Sequence, residues 1–500
     1  MAFNMTDDLL NQMRFERHNS IITDIQFYEY EINRFLSSQK YKDMLTAEKY
    51  YKGDQDILYN GRKEINGDGE LVNVENAIDN RIIDNRYAEL VDQKSNYFVG
   101  SPFVISSKNE MFTKTLDKIF DKGFKRTLKA GTKNGINSGI FYIMPFYDQD
   151  GEFQFKYLKG CEVIPFWRDA EHTILDQAIR IIPSEHYKTG RIEVVIHIEI
   201  MRADGVLKYI LVDGKLKPEI EFMEDKFDKD NSEKLEPYFR YRGLNGSWGK
   251  IPLVAFKPNP YEIPLINRVK SLQDAINRIL SMFQNHMEED YRSTILVLVN
   301  YDGTDLNEFR RNLSAYGAIK IRSVDGVNGK VETLTVEVNS QNYNDILGVL
   351  NQAIVRNGRG YDANDSRLQG NPNQMNIQSM YTNIDLDADD MEMEYKASFE
   401  QLGYFIERHL KLTGSEIGFE DFEVTFKRDM LMVESDIISN IMASRGLVSD
   451  KTLRAVHPYV TDESEEEKRL DEENSDNMMD FYNKTFPLEH IKGNSNGLLE

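Results

Sequence analysis

"PLINRVKSLQDAINRILSMF", residues 264–283, decides how the rest of the chain is read. Its apolar residues Leu265, Val269, Leu272, Ile276, Ile279 and Phe283 are spaced four, three, four, three and four apart. That spacing is the seam of a helix that packs lengthwise on other helices. At 1.5 Å per residue the stretch makes a rod about 30 Å long. The helix is expected to continue to about Asp290.

On the C-terminal side, "STILVLVNYDGTDLNEFRRNLSAYGAIKIRSVDGVNGKVETLTVEV" (293–338) reads as a strand, a short helix, and strands turning at Asp325-Gly326 and Asn328-Gly329. "NSQNYNDILGVLNQAIVRNGRG" (339–360) returns to helix, with Ile346, Leu350 and Ala353 or Ile354 inward and Gly358 as a stop. A small β-containing knob therefore sits between two helices that bracket it like a stalk. "YDANDSRLQGNPNQMN" (361–376) is a polar loop that Gly358, Gly360 and Gly370 are expected to let move. A long helix follows from residue 377 to 412, with Ile384, Met391, Tyr395, Leu402 and Ile406 at near-heptad spacing. A strand over 422–428, two short helices around Gly446, and an acidic tail helix opening with Asp462 and Glu465 at capping-box spacing complete the chain.

On the N-terminal side the first hundred residues are mostly helical, with a break at Ser37 and Ser38. "NRIIDNRYAELVDQKSNYFVGSP" (80–102) reads as an amphipathic helix with Ile83, Tyr87, Leu90 and Val91 on one side, stopped by Gly100 and Pro102. From about residue 139 the period becomes two. Asp150-Gly151, Asp204-Gly205 and Asp213-Gly214 supply hairpin turns. Residues 223–237 are charged and turn-rich, hence an exposed loop. The fold class is α+β, with 101–260 as a mixed unit.

Five hundred residues exceed one ordinary core. The 61 basic and 83 acidic side chains give a net charge of −22, which repels anionic membranes and does not advertise tight nucleic-acid binding. The single cysteine, Cys161, excludes an intrachain disulfide and reads as a structural thiol. The N-terminal stretch "MAFNMTDDLL" has no signal-peptide character, and no apolar run approaches the roughly 20 residues of a membrane span. A soluble, acidic protein is expected.

Enzyme motifs are absent. In "GLNGSWGKIP", Gly243 lies six positions before Gly249-Lys250, where a P-loop needs five, and Ile251 replaces the Mg²⁺-binding hydroxyl. "DQDG" (148–151) lacks the alternating ligands of a calcium loop. His197 and Glu199 share a strand face but lack a third ligand. Asp385, Asp387, Asp389, Asp390, Glu392 and Glu394 fan around a helix axis and do not converge, so they read as a solvated or channel-lining belt. No catalytic residue, cofactor or metal is assigned.

The order of parts resembles the portal proteins of tailed bacteriophages, in particular the head portal family of siphophages infecting Gram-positive bacteria. The resemblance rests on "KYYKGDQDIL" (49–58), on residues 80–102, on the hairpin leading to "EVIPFW" (162–167), on residues 249–290, and on "GLVSDKTLRAVHPYVTDESEEEKRLDEE" (446–473). Many members carry Gly-Asn-x-Ser-Gly-x-Ala-Leu after the tunnel loop, where this chain reads "GNPNQMNIQSMY" (370–381).

The resemblance implies a wing at 1–260, a stem helix at 261–293, a clip at 294–338, a second stem helix at 339–360, a tunnel loop at 361–376, a tunnel helix at 377–412, a wing return at 413–460 and a crown at 461–500. It implies a dodecameric ring at one capsid vertex, seeding head assembly with scaffold and major capsid protein. The ring would dock the terminase large subunit, pass double-stranded DNA and later join connector proteins. Leu265, Val269, Leu272, Ile276, Ile279 and Phe283 would then pack on the partner stem helix and on neighbouring subunits. Arg359, Arg367, Asn371, Asn373 and Gln374 would face DNA from the loop. The alternatives are an intrachain helix pair in a monomer, an enzyme on nucleic acid such as a packaging ATPase or nuclease, and a non-enzymatic scaffold or adaptor without a channel.

Overall fold

In the computed structural model, the residues described are 24–61, 63–65, 70–73, 78–188, 190–219, 235–241, 243–290, 295–299, 323–324, 327–328, 330–334, 340–362, 374–415, 417–428, 434–460, 463 and 466–474. Ten of the described helices carry the account: α1 (Asp24–Ser37), α2 (Gln39–Tyr51), α3 (Arg86–Val99), α4 (Glu110–Ile119), α5 (Lys122–Ser138), α6 (Ile266–Asp290), α7 (Ser340–Gly358), α8 (Gln374–Thr413), α9 (Glu434–Ser444) and α10 (Asp450–Val456). The chain divides into a larger unit, residues 1–362 with 381–429, and a smaller one, residues 363–380 with 430–500.

In the larger unit, α1 and α2 meet at Ser38, whose hydroxyl accepts the Tyr41 amide and so caps α2. The expected break is therefore where serine can satisfy an orphan N–H. Five consecutive antiparallel strands, 163–167, 175–188, 191–201, 206–212 and 215–218, make a meander. Its last turn is Asp213-Gly214, both at positive φ (52° and 77°). This is the two-residue hairpin geometry that the Asp-Gly pair predicts. A three-stranded sheet places 141–147 between 153–159 and 254–256.

Helix α8 carries the near-heptad residues Ile384, Met391, Tyr395, Leu402 and Ile406, each at most 3% exposed. Tyr395 and Phe399 on α8 join Phe103, Phe120, Phe124, Phe256 and Phe426 in edge-to-face ring contacts. The strand Phe422–Thr425 then pairs with Val104–Ser107, so the chain after α8 returns to the body it left.

One expectation is corrected. Residues 80–85 are not helical, and α3 begins only at Arg86, capped by the Asn85 side chain. Gly100 is the C-cap of α3, as expected, with right-handed angles (φ −67°, ψ −47°). The 223–237 loop falls largely outside the described residues, as do Asp462 and Glu465. In the smaller unit α9 and α10 flank Gly446, and Arg454 holds Glu467 at 3.1 Å.

The elbow that leads into α6 is built on Gly139 and Glu262. Gly139 ends α5 at φ 81°, and a Cβ there would stand 2.1 Å from the Glu262 carbonyl oxygen. Glu262 is itself left-handed (φ 53°) and 5% exposed. Burial alone would raise its carboxyl, but the His172 hydrogen bond at 2.5 Å and the Lys40 ammonium at 2.8 Å hold it down to about 2.

A carboxylate held below its unfolded value near 4.5 contributes stability above that pH and loses it as the folded value is approached. Urea midpoints of the wild type should therefore fall between pH 4.5 and 2, with about 3 kcal/mol at stake in this one group. Glu262→Gln should flatten that part of the profile. An unchanged slope in the variant would assign the acid sensitivity elsewhere.

Candidate functional site

The helix that opened the sequence reading occupies its predicted place, and α7 packs along it. Phe283 lies 5.0 Å from the Tyr343 ring, and the Tyr343 hydroxyl reaches His286 Nδ1 at 2.7 Å. The described strands between the two helices are few. Residues 295–299 pair antiparallel with 330–334, and 323–324 with 327–328.

Of the seam residues, Leu265, Val269 and Ile276 are buried, while Leu272, Ile279 and Phe283 are half-buried. On α7, Ile354 is buried but Ile346 is 47% exposed. Its neighbour on the same helix, Val349, is 67% exposed.

The other buried stripe of α6 is polar. Gln273, Asn277, Ser281 and Asn285 recur every four residues, and none is more than 6% exposed. They bind the backbone of residues 80–87, the segment that leads into the first turn of α3. Asn285 Oδ1 accepts from the Asn80 amide at 2.7 Å and Ser281 Oγ from Ile82 at 2.9 Å. Asn277 Oδ1 accepts from Asp84 at 3.1 Å and Gln273 Oε1 from Tyr87 at 2.9 Å. Gln273 Nε2 returns a bond to the Asp84 carbonyl at 2.7 Å.

The match is geometric. Four helical residues rise about 6.0 Å, and two extended residues span about 6.6 Å. A stripe at i, i+4 can therefore meet alternate amides of a strand laid antiparallel to it. These amides would otherwise be buried donors without partners.

At the far end of α7 the chain turns through a Schellman motif. The Gly360 amide donates to the Val355 carbonyl at 2.9 Å and the Arg359 amide to that of Arg356 at 3.2 Å. The left-handed position is Arg359 itself (φ 51°), which an ordinary side chain occupies at a cost of about 1 kcal/mol or more. Gly358 and Gly360, expected to confer mobility, instead allow close packing. A Cβ on either would come within 2.6 Å of the Leu90 side chain.

Arg359 Nη1 binds Asp387 Oδ1 at 2.9 Å, and Lys94 reaches both the other Asp387 oxygen and, at 3.3 Å, the Arg359 carbonyl. Burial pulls the Lys94 ammonium below its ordinary range while Asp387 opposes the shift. Arg367, Asn371 and Asn373 lie outside the described residues, and Gln374 is described only as the first residue of α8.

The acidic belt is mostly paired rather than open. Arg428 reaches Asp385, Asp389 and Glu392, and these carboxylates hold its guanidinium above the usual range despite partial burial. Lys257 faces Glu394 at 3.5 Å, and Lys396 binds Glu392 at 2.9 Å. Arg428 and Lys257 come from outside α8, so the helix's own pattern could not reveal them, whereas Lys396 sits four residues from Glu392 on the same helix.

The residues weighed for other chemistry are occupied structurally. Trp248 is 2% exposed, and Lys250 stands 4.2 Å above the Tyr404 ring. His197 binds Glu219 at 3.1 Å and Glu199 binds Arg180 at 3.0 Å. Burial pushes the Cys161 thiol up to about 11. Among the described residues no group of three or more His, Cys, Asp or Glu could hold a metal ion. No described helix is long and apolar enough to cross a membrane.

Comparison with known proteins supplies the remaining observation. The family described as "Phage portal protein, SPP1 Gp6-like" matches residues 37–479, which include the body, both stalk helices and α8. The chain belongs to this family. Its similarity extends to the portal protein of Bacillus phage SPP1, 25% identical over 448 residues covering 88% of this chain and 86% of that one. It is likewise 25% identical over 445 residues to the portal protein of Clostridium phage phiCD119, covering 86% and 92%. Both relatives come from phages of Gram-positive bacteria.

Proposed function

We propose that this chain is the portal subunit of a tailed phage, a dodecameric ring at one capsid vertex that conducts double-stranded DNA during packaging and ejection. The observation that carries the reading is the α6–α7 pair in a portal family member. It buries one face within the subunit and leaves Ile346 and Val349 in solvent on the other. An isolated subunit gains nothing from those apolar side chains, whereas a neighbour's stem helix would cover them.

In this assignment α6 and α7 form the stem, 294–338 the clip, 361–376 the tunnel loop and α8 the tunnel helix. The body forms the wing, and the C-terminal residues form the crown. The ring would dock the terminase large subunit, associate with scaffold and major capsid protein, and later receive the head-tail connector. Its role is mechanical and non-enzymatic.

DNA passage asks for weak contacts. Each phosphate neutralised by a cation adds affinity and would slow the duplex. Arg359 is the candidate contact at the base of the loop, and its pairing to Asp387 already offsets much of its charge. Arg367, Asn371, Asn373 and Gln374 are the candidates within and just after it. Neutral amides position phosphate without a strong grip.

Negative-stain microscopy of purified protein should show rings with a central hole; compact particles without one would leave a scaffold or adaptor role. Deleting residues 366–373 should preserve those rings while reducing the yield of filled heads. Normal filling by the deleted portal would remove the loop from the DNA path.

A further inference from the structure

A chain of net charge −22 concentrates positive charge on one stretch. Residues 108–133 carry eight Lys or Arg against three Asp or Glu, a local charge of +5. The stretch includes α4 and α5. On α5, Lys125, Arg126, Lys129 and Lys133 recur at helical spacing and therefore share a face. That face borders a cavity of about 500 Å³ between α5 and the end of α3.

The cations are not equivalent. Lys133 is engaged by Asp92 at 2.6 Å. Lys125 stands 5.5 Å over the Phe103 ring. Arg126 and Lys129 have no ion-pair partner among the described residues, although acidic side chains outnumber basic ones in this protein by 22. Most of the remaining lining is apolar, including Val99, Pro102, Phe103 and Leu128, with Ser101 the polar exception. The cavity thus joins an apolar floor to a cationic rim.

We infer that this cavity is a docking site for an acidic peptide segment of a partner protein, one that carries an apolar or aromatic anchor among its carboxylates. Two features select this partner over a nucleic-acid backbone. Phosphates would engage the rim but have nothing to place on Val99, Pro102 and Leu128. A peptide can seat one large apolar side chain there and set Asp or Glu against Arg126 and Lys129, the arrangement in which buried anchor and rim charges divide the labour of recognition. None of the residues that line the cavity belongs to α6 or α7.

The test uses the full chain and a fluorescein-labelled 12-residue peptide of Asp and Glu with one central Phe, read by anisotropy in moderate salt. Binding should weaken as salt rises. Replacing the Phe by Ala in the peptide should weaken it at least tenfold, as loss of a buried aromatic anchor does. Arg126→Glu combined with Lys129→Glu should also weaken it at least tenfold, and the milder Arg126→Gln with Lys129→Gln should do so severalfold. Both positions are on the solvent side of α5, and circular dichroism should match the wild type.

A 20-base-pair duplex should not displace the peptide at equal charge concentration. Absence of binding, or equal binding of the Phe and Ala peptides, would overturn the proposal. Displacement by the duplex would overturn it in favour of a nucleic-acid surface.

Discussion

Val269→Asp is expected to leave no folded subunit. Val269 is fully buried on α6, and Asp there would take a carboxylate out of water. An unpaired buried charge costs several kcal/mol, set against a total stability of about 5–15 kcal/mol. Thermal denaturation and far-UV circular dichroism should show loss of the cooperative transition. The contrasting change is Val349→Asp on α7, where the side chain is 67% exposed in the subunit. That variant should melt like the wild type yet fail to form rings by light scattering. Intact rings from Val349→Asp would mean that this face of the stalk is not where subunits meet.

The second large effect is expected from the polar stripe. Asn277→Leu removes the acceptor of the Asp84 amide and the donor to Gln55, and takes a partner from Gln273. Each buried polar group left unpaired costs about 1–3 kcal/mol. The double change Gln273→Leu with Asn277→Leu should therefore lose roughly 3–6 kcal/mol, although it adds apolar surface to a buried face. Ser281→Ala, which deletes one acceptor, should lose about 1 kcal/mol. A neutral or stabilising double variant in urea unfolding would show that the segment 80–87 finds other partners.

The contrast between these two stripes says what could be read from sequence. The four-three alternation of apolar residues located α6 to within two residues of its start, because burial against a neighbour imposes that period directly. Asp213-Gly214 was equally legible, since few other pairs tolerate two positive φ values in succession. Residues 80–85 were not legible. Ile82 and Ile83 followed by Tyr87 and Leu90 match a helical face, but the amides of 80, 82 and 84 are claimed by side chains almost 200 positions away. The signal was present in α6 itself: Gln273, Asn277, Ser281 and Asn285 put carboxamides and a hydroxyl on one line, unusual for a helix with no solvent on that side.

Electrostatics were the least legible part. Asp387 looked like one member of a dispersed belt, and Arg359 like a free cation beside a mobile glycine pair. The fold brings them to 2.9 Å and adds buried Lys94 from α3. Which acid meets which base depends on long-range packing, and no local spacing encodes it. The Gly-Arg-Gly triplet at 358–360 was misread for a related reason: glycine signals either freedom or close approach, and only Leu90 decides between them.

The stripe on α6 has a mechanical corollary. Its four acceptors each hold one amide of residues 80–87. A slip of α6 by fewer than four residues would break all four bonds at once, so a pull along the stalk meets resistance at this joint. Axial load on α6 passes into residues 80–87 and, through the amide of Tyr87, into the first turn of α3. The stalk and that helix behave as one strut.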